Sequence, residues 1–453
     1  MVVLSSDTVV KEVLDKQSAV TNARGDHYLG HDILSGGERM LLMPNGEKWR
    51  LQKKLMQKML NVNVAQSYEP YIVLEEKALL FDLLRNPKDF YLHTKRIRTP
   101  DFNDGKMKQF LIGLDYFTEL MQTATAALVD VYPILRRAPS FILPALGKAT
   151  AWHKEETEFY LGLWHQTKQS LEQGTAKPCF AVDILKCQDK EQFTDKFGAY
   201  LAGGSMEAGT DTTSNTLYGF IQAMVLFPDA QKKAQGELDR VLGNKFPEPA
   251  DAKNLPYIRA CVKESLRWMP TAIIGAAPHA ASENFQSMGY HFPKGALLVN
   301  NVYSIHFDPK RYSDPKTFNP ARFVGDDMTS HESAVQSDVS KRDHFVFGAG
   351  RRLCSGMHVA DRELFAAIAG LLWAFDITPA IDEGTGEPIL PDQNLYTPTV
   401  VCRPQDFVAR ITPRSAERAA AVEALWKEAS QVLNSSGQWK EIPKGMKFTD
   451  VLA

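Results

Sequence analysis

The chain has 453 residues, of which 44% are hydrophobic and 23% are charged, and its formal net charge is −2. This composition is that of a folded globular protein, and it excludes an extended disordered or coiled-coil chain. Because the net charge is close to zero, no global field attracts nucleic acid, and no nucleic-acid partner is expected.

The cysteines are few and odd in number, with no paired spacing: Cys179, Cys187, Cys261, Cys354 and Cys402. A disulfide framework is therefore not expected, and the pattern fits a reducing compartment. No CxxC or CxxH pair supports a zinc site. The sequence shows neither a signal peptide nor a run of about 18 apolar residues, so we predict no transmembrane anchor in this chain.

Helical periodicity dominates the chain, and the predicted strands are short. The predicted helices are roughly 47–60, 66–84, 115–131, 150–173, 193–227, 229–242, 256–268 and 357–374, and the predicted strands are 289–292, 296–302 and 399–411. The longest helix is stopped by Pro228 and is long enough to cross a whole domain. We predict a mainly α fold with small β-sheets, a single domain over 1–413, and a helical and then polar C-terminal extension over 414–453.

The segment GEKWRLQKKL places Trp49 on a predicted helix among basic residues, which are Lys48, Arg50, Lys53, Lys54 and Lys58. A basic face of this kind suits an acidic protein partner. A run of charges is also the ordinary composition of a solvated helix face. Taken alone, Trp49 indicates no more than half-buried packing.

The long predicted helix carries the segment AGTDTT at 208–213. Asp211 and Thr212 are poor residues for a helix interior, and Gly209 weakens the helix further. The flanking residues are small or apolar, which argues against a merely polar outer face. Residues that disfavour a helix, inside a helix that is otherwise strongly predicted, indicate a functional site here.

Two later segments carry charged residues with informative spacing. Glu264 and Arg267 stand three residues apart in LPYIRACVKESLRWMP and share one helix face. Arg322 follows in FNPARF, in a loop before Cys354. Taken alone, Glu264 and Arg267 would form a solvated surface pair.

The segment FVFGAGRRLCSGMHVADREL, 345–364, is the most informative part of the chain. Cys354 stands just before a helix start, in a loop that contains Gly348, Gly350 and Gly356. Glycines permit positive φ and close approach of the backbone to a flat ligand. Backbone N–H groups at a helix N-terminus stabilise a thiolate. A structural buried cysteine is the alternative for a lone cysteine in such a turn.

The pattern Phe347-x-x-Gly350-x-Arg352-x-Cys354-x-Gly356 resembles the haem-binding signature of the cytochrome P450 superfamily and matches it at every fixed position. The resemblance implies haem b (iron protoporphyrin IX) with Cys354 as the axial iron ligand. It also implies that Phe347 packs beside the sulfur and that Arg352 pairs with a haem propionate. Such a thiolate pushes electron density toward bound oxygen and favours O–O cleavage.

The resemblance extends to the other motifs, in the family's order. It implies that Glu264 and Arg267 lock onto Arg322 and hold the haem loop, with Ala321 replacing the usual acidic neighbour. The matching Thr212 would hold a water molecule or a hydroperoxide by hydrogen bonding, and Asp211 would relay protons from solvent.

The resemblance is weaker at two further positions near the haem propionates. Trp49 and Lys53 match a Trp-x-x-x-Arg pattern with lysine in place of arginine, which keeps the charge and loses the bidentate fork. His279 follows Pro278 where the family often places another propionate partner. Ser355 stands where many members have proline.

The resemblance implies a monooxygenase that inserts one atom of O2 into a small lipophilic substrate, with electrons from NADPH through NADPH–cytochrome P450 reductase. HFDPKRYSDPKTFNPARF and PHAASENF are most similar to fungal microsomal-type members of secondary-metabolite pathways. A monomer on the cytoplasmic face of the endoplasmic reticulum is expected. The apolar stretch VYPILRRAPSFILPAL, 131–146, suggests peripheral membrane contact, with a buried loop as the alternative.

The main departure from the family lies at the beginning of the chain. The anchor helix and first elements of microsomal members have no counterpart here, so an N-terminally truncated P450 fold is expected. This leaves two alternatives to a monooxygenase. One is a haem-thiolate isomerase or dehydratase that needs no reductase, which the intact Asp211–Thr212 pair disfavours. The other is an inactive haem-binding remnant.

Overall fold

A computed structural model of the protein describes residues 1–95, 105–435, 437–443 and 446. In these ranges the helices are α1 (Asp7–Val10), α2 (Glu47–Met59), α3 (Val62–Ser67), α4 (Glu69–Arg85), α5 (Phe90–Thr94), α6 (Gly105–Leu120), α7 (Ala124–Val131), α8 (Pro144–Glu172), α9 (Phe180–Glu191), α10 (Asp195–Leu226), α11 (Pro228–Leu242), α12 (Pro256–Trp268), α13 (Val302–His306), α14 (Ser330–Ala334), α15 (Met357–Ala374) and α16 (Ala416–Ser430). The predicted mainly α architecture with small sheets is confirmed.

The strands are β1 (Val2–Leu4), β2 (Ala23–Arg24), β3 (His279–Ala280), β4 (Phe285–Ser287), β5 (Tyr290–Phe292), β6 (Leu297–Asn300), β7 (Phe375–Ile381), β8 (Pro388–Ile389) and β9 (Ala409–Pro413). The described strands form sheets of order β1-β6-β3-β2, β4-β5 and β8-β7-β9. In the first sheet β2 and β3 are antiparallel, and Arg24 lies opposite His279. This register brings two basic side chains from distant parts of the sequence to one place.

The long helix α10 forms the centre of the molecule. It begins where the Thr194 hydroxyl accepts the N–H of Phe197 (3.2 Å) and it ends before Pro228. Every residue from 214 to 225 is buried, because α10 packs against α8, α9, α11, α12 and α15. A helix that is buried on all sides is a core element, as its length and apolar composition predict.

Two predicted elements are wrong. The range 115–131 is two helices, because the Thr123 hydroxyl accepts the N–H of Ala126 (3.1 Å) and starts α7 after a break. The range 399–411 is mostly irregular, and only β9 (Ala409–Pro413) is a strand. Pro404 cannot donate to a ladder, and the Thr399 hydroxyl bonds the nearby Val401 carbonyl (2.7 Å) instead.

The C-terminal helix α16 packs against the rest of the fold. Trp426 stacks on Phe81 of α4 with ring centroids 5.8 Å apart. The guanidinium of Arg418 lies 4.3 Å from the ring centroid of Trp373, and Val422 is buried. The helix therefore contributes to the same core as α4 and α15, while the division of the chain at residue 413 stays a prediction.

We examined the helices of the described ranges for a membrane span. None of them combines the length and the apolar character that crossing a bilayer requires.

Glu76 of α4 is a carboxyl group buried without a hydrogen-bond partner among the described residues. Its side chain is 3% exposed, and a Cβ built on Gly370 of α15 would lie 2.5 Å from its Oε1. Desolvation raises the pKa of Glu76 well above its ordinary value, with Lys77 opposing the shift. The folded state therefore holds a proton that the unfolded chain releases, and stability falls as pH rises above the ordinary glutamate pKa.

Replacing Glu76 by glutamine should remove this dependence, because glutamine keeps the shape and carries no charge. At pH 8 we expect Glu76→Gln to raise the free energy of unfolding by roughly 1–3 kcal/mol relative to the parent chain, and the gain should vanish near pH 4. Apparent melting temperatures across this pH range measure it, with the exposed Glu172→Gln as control. An equal gain at pH 4 and pH 8 would contradict the assignment.

Candidate active site

The loop before α15 is a tight turn that depends on two glycines. Gly348 and Gly350 adopt φ of +79° and +57°, and a Cβ on Gly350 would lie 2.1 Å from the carbonyl oxygen of Leu14. The turn closes where the N–H of Cys354 donates to the Phe347 carbonyl (2.9 Å). Only glycine fits these positions without strain, so the loop holds Cys354 in one orientation.

The side chain of Cys354 combines accessible surface with a desolvating environment. The side chain is exposed, yet desolvation is the largest influence on the thiol and raises its pKa. The N–H groups of Gly356 and Met357, at the start of α15, hydrogen-bond the sulfur and oppose this shift, as does the charge of Lys53. A thiol that has accessible surface in a desolvating environment can be reached by a ligand.

Two arginines and a histidine converge beside this loop. Arg352 donates from Nε to the Asn22 carbonyl and from Nη2 to the Met43 carbonyl, both at 2.8 Å. Arg24 donates from Nε to the Leu41 carbonyl (2.9 Å). His279, opposite Arg24 on β3, has Nδ1 2.9 Å from the Thr21 carbonyl oxygen.

This cluster is short of negative charge. Among the described residues no carboxylate pairs with Arg24 or Arg352. Burial lowers the pKa of Arg24 to about 10, and burial together with the charge of Arg24 lowers the pKa of Arg352 to about 8. Burial and the two arginines lower the pKa of His279 to about 3, so its imidazole is neutral. An anionic ligand group would relieve this strain.

Helix α2 completes the cluster with two contacts that the sequence did not predict. The guanidinium of Arg352 lies 4.1 Å from the ring centroid of Trp49, whose buried Nε1–H has no partner in the described chain. Lys53 Nζ donates to the Leu353 carbonyl (2.5 Å) and to the Ser355 hydroxyl (2.9 Å). Lys53 therefore holds the loop on both sides of Cys354, which the sequence did not predict.

The segment 208–213 leaves one face of α10 open. Ala208 and Gly209 are exposed, while Glu207 and Thr210 on either side of them are buried. The Thr212 hydroxyl is half-buried and donates to the Ala208 carbonyl (2.6 Å). Small residues and a hydroxyl at this place let a ligand approach the helix backbone closely.

Asp211 lies on the same turn and has a partner that the sequence did not reveal. Its Oδ1 is 3.3 Å from Nζ of Lys95. Burial raises the pKa of Asp211, and the charge of Lys95 limits this rise. The carboxylate is 7% exposed, so Lys95 is the cation that keeps its charge tolerable inside the protein.

Glu264 and Arg267 form a fully buried pair and not a surface pair. Arg267 donates to both oxygens of Glu264 at 2.7 Å, and both side chains are 0% exposed. Arg322 Nε is 3.5 Å from Glu264 Oε1, and the backbone N–H of Asn319 donates to the same oxygen (2.7 Å). The three predicted residues are brought together.

His306 connects this pair to the cysteine loop. The backbone N–H of Phe345 donates to His306 Nε2 (2.7 Å), and His306 Nδ1 is 2.9 Å from the Arg267 carbonyl oxygen. Burial lowers the pKa of His306 well below its ordinary value. The ring is therefore neutral, with its proton on Nδ1, and it transmits the position of α12 to the loop.

Sequence reasoning missed Arg24, Lys95 and His306. Arg24 lies in a strand of two residues, too short to show a period. Lys95 and His306 contact partners far away in the sequence, and no local spacing reports such contacts. The apolar neighbours of His306 in VYSIHF are the one sequence signal that could have indicated its burial.

A thiol just before a helix start, a long helix with exposed small residues at 208–209, and a buried Glu–Arg pair define a haem-thiolate type of site. The cytochrome P450 family model matches residues 97–404. The chain is 44% identical to cytochrome P450 monooxygenase virE of Hypocrea virens over 461 residues, which cover 99% of this chain and 84% of that protein. It is 41% identical to cytochrome P450 monooxygenase fsoB of Humicola fuscoatra over 463 residues, 99% of this chain and 85% of that protein.

Among solved structures, a zebrafish cytochrome P450 with progesterone is 23% identical, with a TM-score of 0.73 over 91% of this chain and 93% of that chain. This likeness concerns the fold. The chain belongs to the cytochrome P450 family, and it is a cytochrome P450 monooxygenase. Membership implies a haem cofactor and the use of O2.

The residues present fit a haem. The thiol of Cys354 is accessible and is the residue type that ligates such an iron. The unpartnered Nε1–H of Trp49 and the uncompensated charges of Arg24 and Arg352 suit the two propionates. Lys53 is bound to the cysteine loop, whereas Arg24 is deeply buried with no carboxylate partner among the described residues, so Arg24 fits a propionate better than Lys53 does.

Proposed function

We propose that this enzyme takes electrons from NADPH through a flavoprotein reductase and oxidises a small lipophilic molecule, in fungal secondary metabolism. The observation that carries the proposal is the accessible, desolvated sulfur of Cys354 beside two arginines that lack a carboxylate partner in the described chain. The fungal source of the similar monooxygenases supports the setting.

In this proposal Cys354 binds the iron, and Arg24, Arg352, Trp49 and His279 surround the propionates. The bound haem supplies the activation of O2 and the insertion of one oxygen atom. The N–H groups of Gly356 and Met357 would stabilise the thiolate, and the carbonyl of Phe347 holds the backbone N–H of Cys354. The side chain of Phe347, in the same turn, would pack beside the sulfur.

Protons would reach the oxygen site through α10. The Thr212 hydroxyl, which donates to the Ala208 carbonyl (2.6 Å), would hold a water molecule and donate a proton at this place. Asp211, one residue before it, would collect protons, and Lys95 sets how readily its carboxylate accepts one. The resemblance implies these roles, and the position of the two side chains beside the exposed Ala208 and Gly209 supports them.

Replacing Thr212 by alanine should uncouple electron use from product formation. We expect the variant to keep its haem spectrum and its NADPH consumption, while product formation falls by about 10²-fold and hydrogen peroxide rises. Thr216→Ala is the matched control, because the Thr216 hydroxyl donates to its own helix at the Thr212 carbonyl (3.0 Å). Unchanged coupling in Thr212→Ala would remove this residue from the mechanism.

The reductase would dock beside α2 and the cysteine loop. Exposed cations at this place are Lys48, Arg50, Lys54 and Arg351. Lys48 and Lys54 also pair with Glu38 and Glu191, both at 2.7 Å. Lys53, expected in the same basic face, is turned onto the loop and is not available for docking. Acidic surface on a reductase complements the remaining cations.

An exposed apolar surface suggests peripheral contact with the cytoplasmic face of the endoplasmic reticulum. Its residues are Leu128, Val131, Tyr132, Ile134, Phe141 and Ile142. Arg137 is exposed beside them and suits anionic lipid head groups. Apolar patches of this extent on a protein surface indicate an interaction site.

Reduction of the ferric protein under carbon monoxide tests the electron source. With NADPH and an NADPH–cytochrome P450 reductase, the ferrous carbon monoxide complex should form, and its rate should fall as salt is raised. NADPH without the reductase should not form the ferrous carbon monoxide complex. If dithionite reduces the protein and the reductase does not, the proposed electron source is wrong, while membership of the family stands.

A further inference from the structure

A buried polar chain lies behind the cysteine loop, on the side of α14 and α15. Asp361, in the second turn of α15, accepts two hydrogen bonds from Ser330 of α14. The Ser330 hydroxyl donates to Oδ1 (2.5 Å) and its backbone N–H donates to Oδ2 (3.1 Å). Both carboxylate oxygens are therefore fixed.

The chain continues from Ser330 to the loop through His344. His344 is 2% exposed, and its Nε2 lies 3.2 Å from the Ser330 hydroxyl oxygen. The Ser330 proton goes to Asp361, so His344 donates from Nε2. The His344 ring meets the Phe347 ring edge-on, with centroids 5.3 Å apart. The backbone carbonyl of Phe347 in turn accepts the N–H of Cys354.

Asp361 differs from the neighbouring buried Asp343, because Asp343 pairs with a cation and Asp361 does not among the described residues. Asp343 lies 3.2 Å from Lys263 Nζ, which also binds Asp326 at 2.8 Å. No ion pair involves Asp361 among the described residues. Burial raises the pKa of Asp361 to about 6, which leaves it ionised at neutral pH, and its charge raises the pKa of Cys354.

We propose that Asp361, held by Ser330 and His344, is a positioning residue whose uncompensated negative charge strengthens electron donation by the Cys354 thiolate and lowers the haem reduction potential. The inference rests on the proposed role of Cys354 as iron ligand. A fixed anion near the thiolate favours the ferric haem over the ferrous haem, because the ferric state carries one more positive charge. The residue thereby sets how readily the reductase delivers its first electron.

The test is a spectroscopic redox titration of the purified holoprotein with dithionite, comparing the parent chain with Asp361→Asn. We expect a more positive midpoint potential in Asp361→Asn, and a potential close to that of the parent in Asp361→Glu. The matched control is Glu363→Gln. Glu363 is also a desolvated carboxyl on α15, with its pKa raised to about 7, and it accepts a hydrogen bond from Thr213 of α10 (3.3 Å).

An unchanged potential in Asp361→Asn, with full haem content, would overturn the inference, and so would an equal shift in Glu363→Gln. In Asp361→Asn the new amide N–H group can face the Ser330 N–H, and the variant could then fail to retain haem. In that case Asp361→Ser removes the same charge, and the same more positive midpoint potential is expected. The carbon monoxide complex of the parent protein separates the two proposals. A band typical of histidine-ligated haem would reject Cys354 as the ligand before any comparison of potentials.

Discussion

A Cys354→Ala variant is expected to lose all monooxygenase activity and every thiolate feature of the haem spectrum. Alanine supplies no ligand, and no other sulfur of the chain lies in the turn between Phe347 and Gly356. The electron donation that favours O–O cleavage would vanish with the thiolate. Haem content, the spectrum of the reduced carbon monoxide complex and oxygen consumption with reductase measure this outcome.

The half-buried Cys179 offers a control for this variant, because it caps α9 away from the cysteine loop. Cys179→Ala should keep the spectrum and the activity of the parent protein. A thiolate-type spectrum that persists in Cys354→Ala would show that another cysteine binds the iron, and the account of the loop would then be wrong.

The second large effect is expected at Glu264. Glu264→Gln leaves Arg267 as a charge with 0% exposure and no counter-ion at its former contacts. Removing one member of a buried pair costs roughly 3–5 kcal/mol. Because His306 joins Arg267 to Phe345, the cysteine loop should also loosen, so the variant should bind haem poorly.

Arg322→Gln provides a graded comparison for Glu264→Gln. Arg322 is 3.5 Å from Glu264 and retains some exposure, so its loss should cost less than the loss of the central carboxylate. Thermal unfolding and haem retention of both variants measure the difference. Equal melting temperatures for Glu264→Gln and the parent would mean that the pair does not support the loop.

Local sequence patterns predicted the main helices, because a helix depends on residues that are close together in the sequence. Periodicity together with Pro228 and Pro256 sets the bounds of α10 and α12 to within about two residues. The break at Thr123 was missed because one side-chain cap outweighed a continuous apolar pattern. The predicted strand at 399–411 failed because hydroxyl contacts and proline were given too little weight beside β-branched residues.

At the site, the spaced motif located Cys354 and its glycines, and the structure adds the contacts made over long sequence separations. Arg24 reaches His279 through strand pairing, and Lys95 reaches Asp211 through the packing of α5 against α10. Lys53 was assigned to the propionates by its position in a pattern, yet its amine is bound to the loop. The roles of Thr212, Asp211 and His279 stay predictions.

The most direct test of the account is the carbon monoxide difference spectrum of the reduced, purified protein. We predict a Soret band shifted far to the red, because the Cys354 thiolate is accessible and two backbone N–H groups support it. A band at the position of histidine-ligated or free haem would contradict the assignment of Cys354 as the axial ligand.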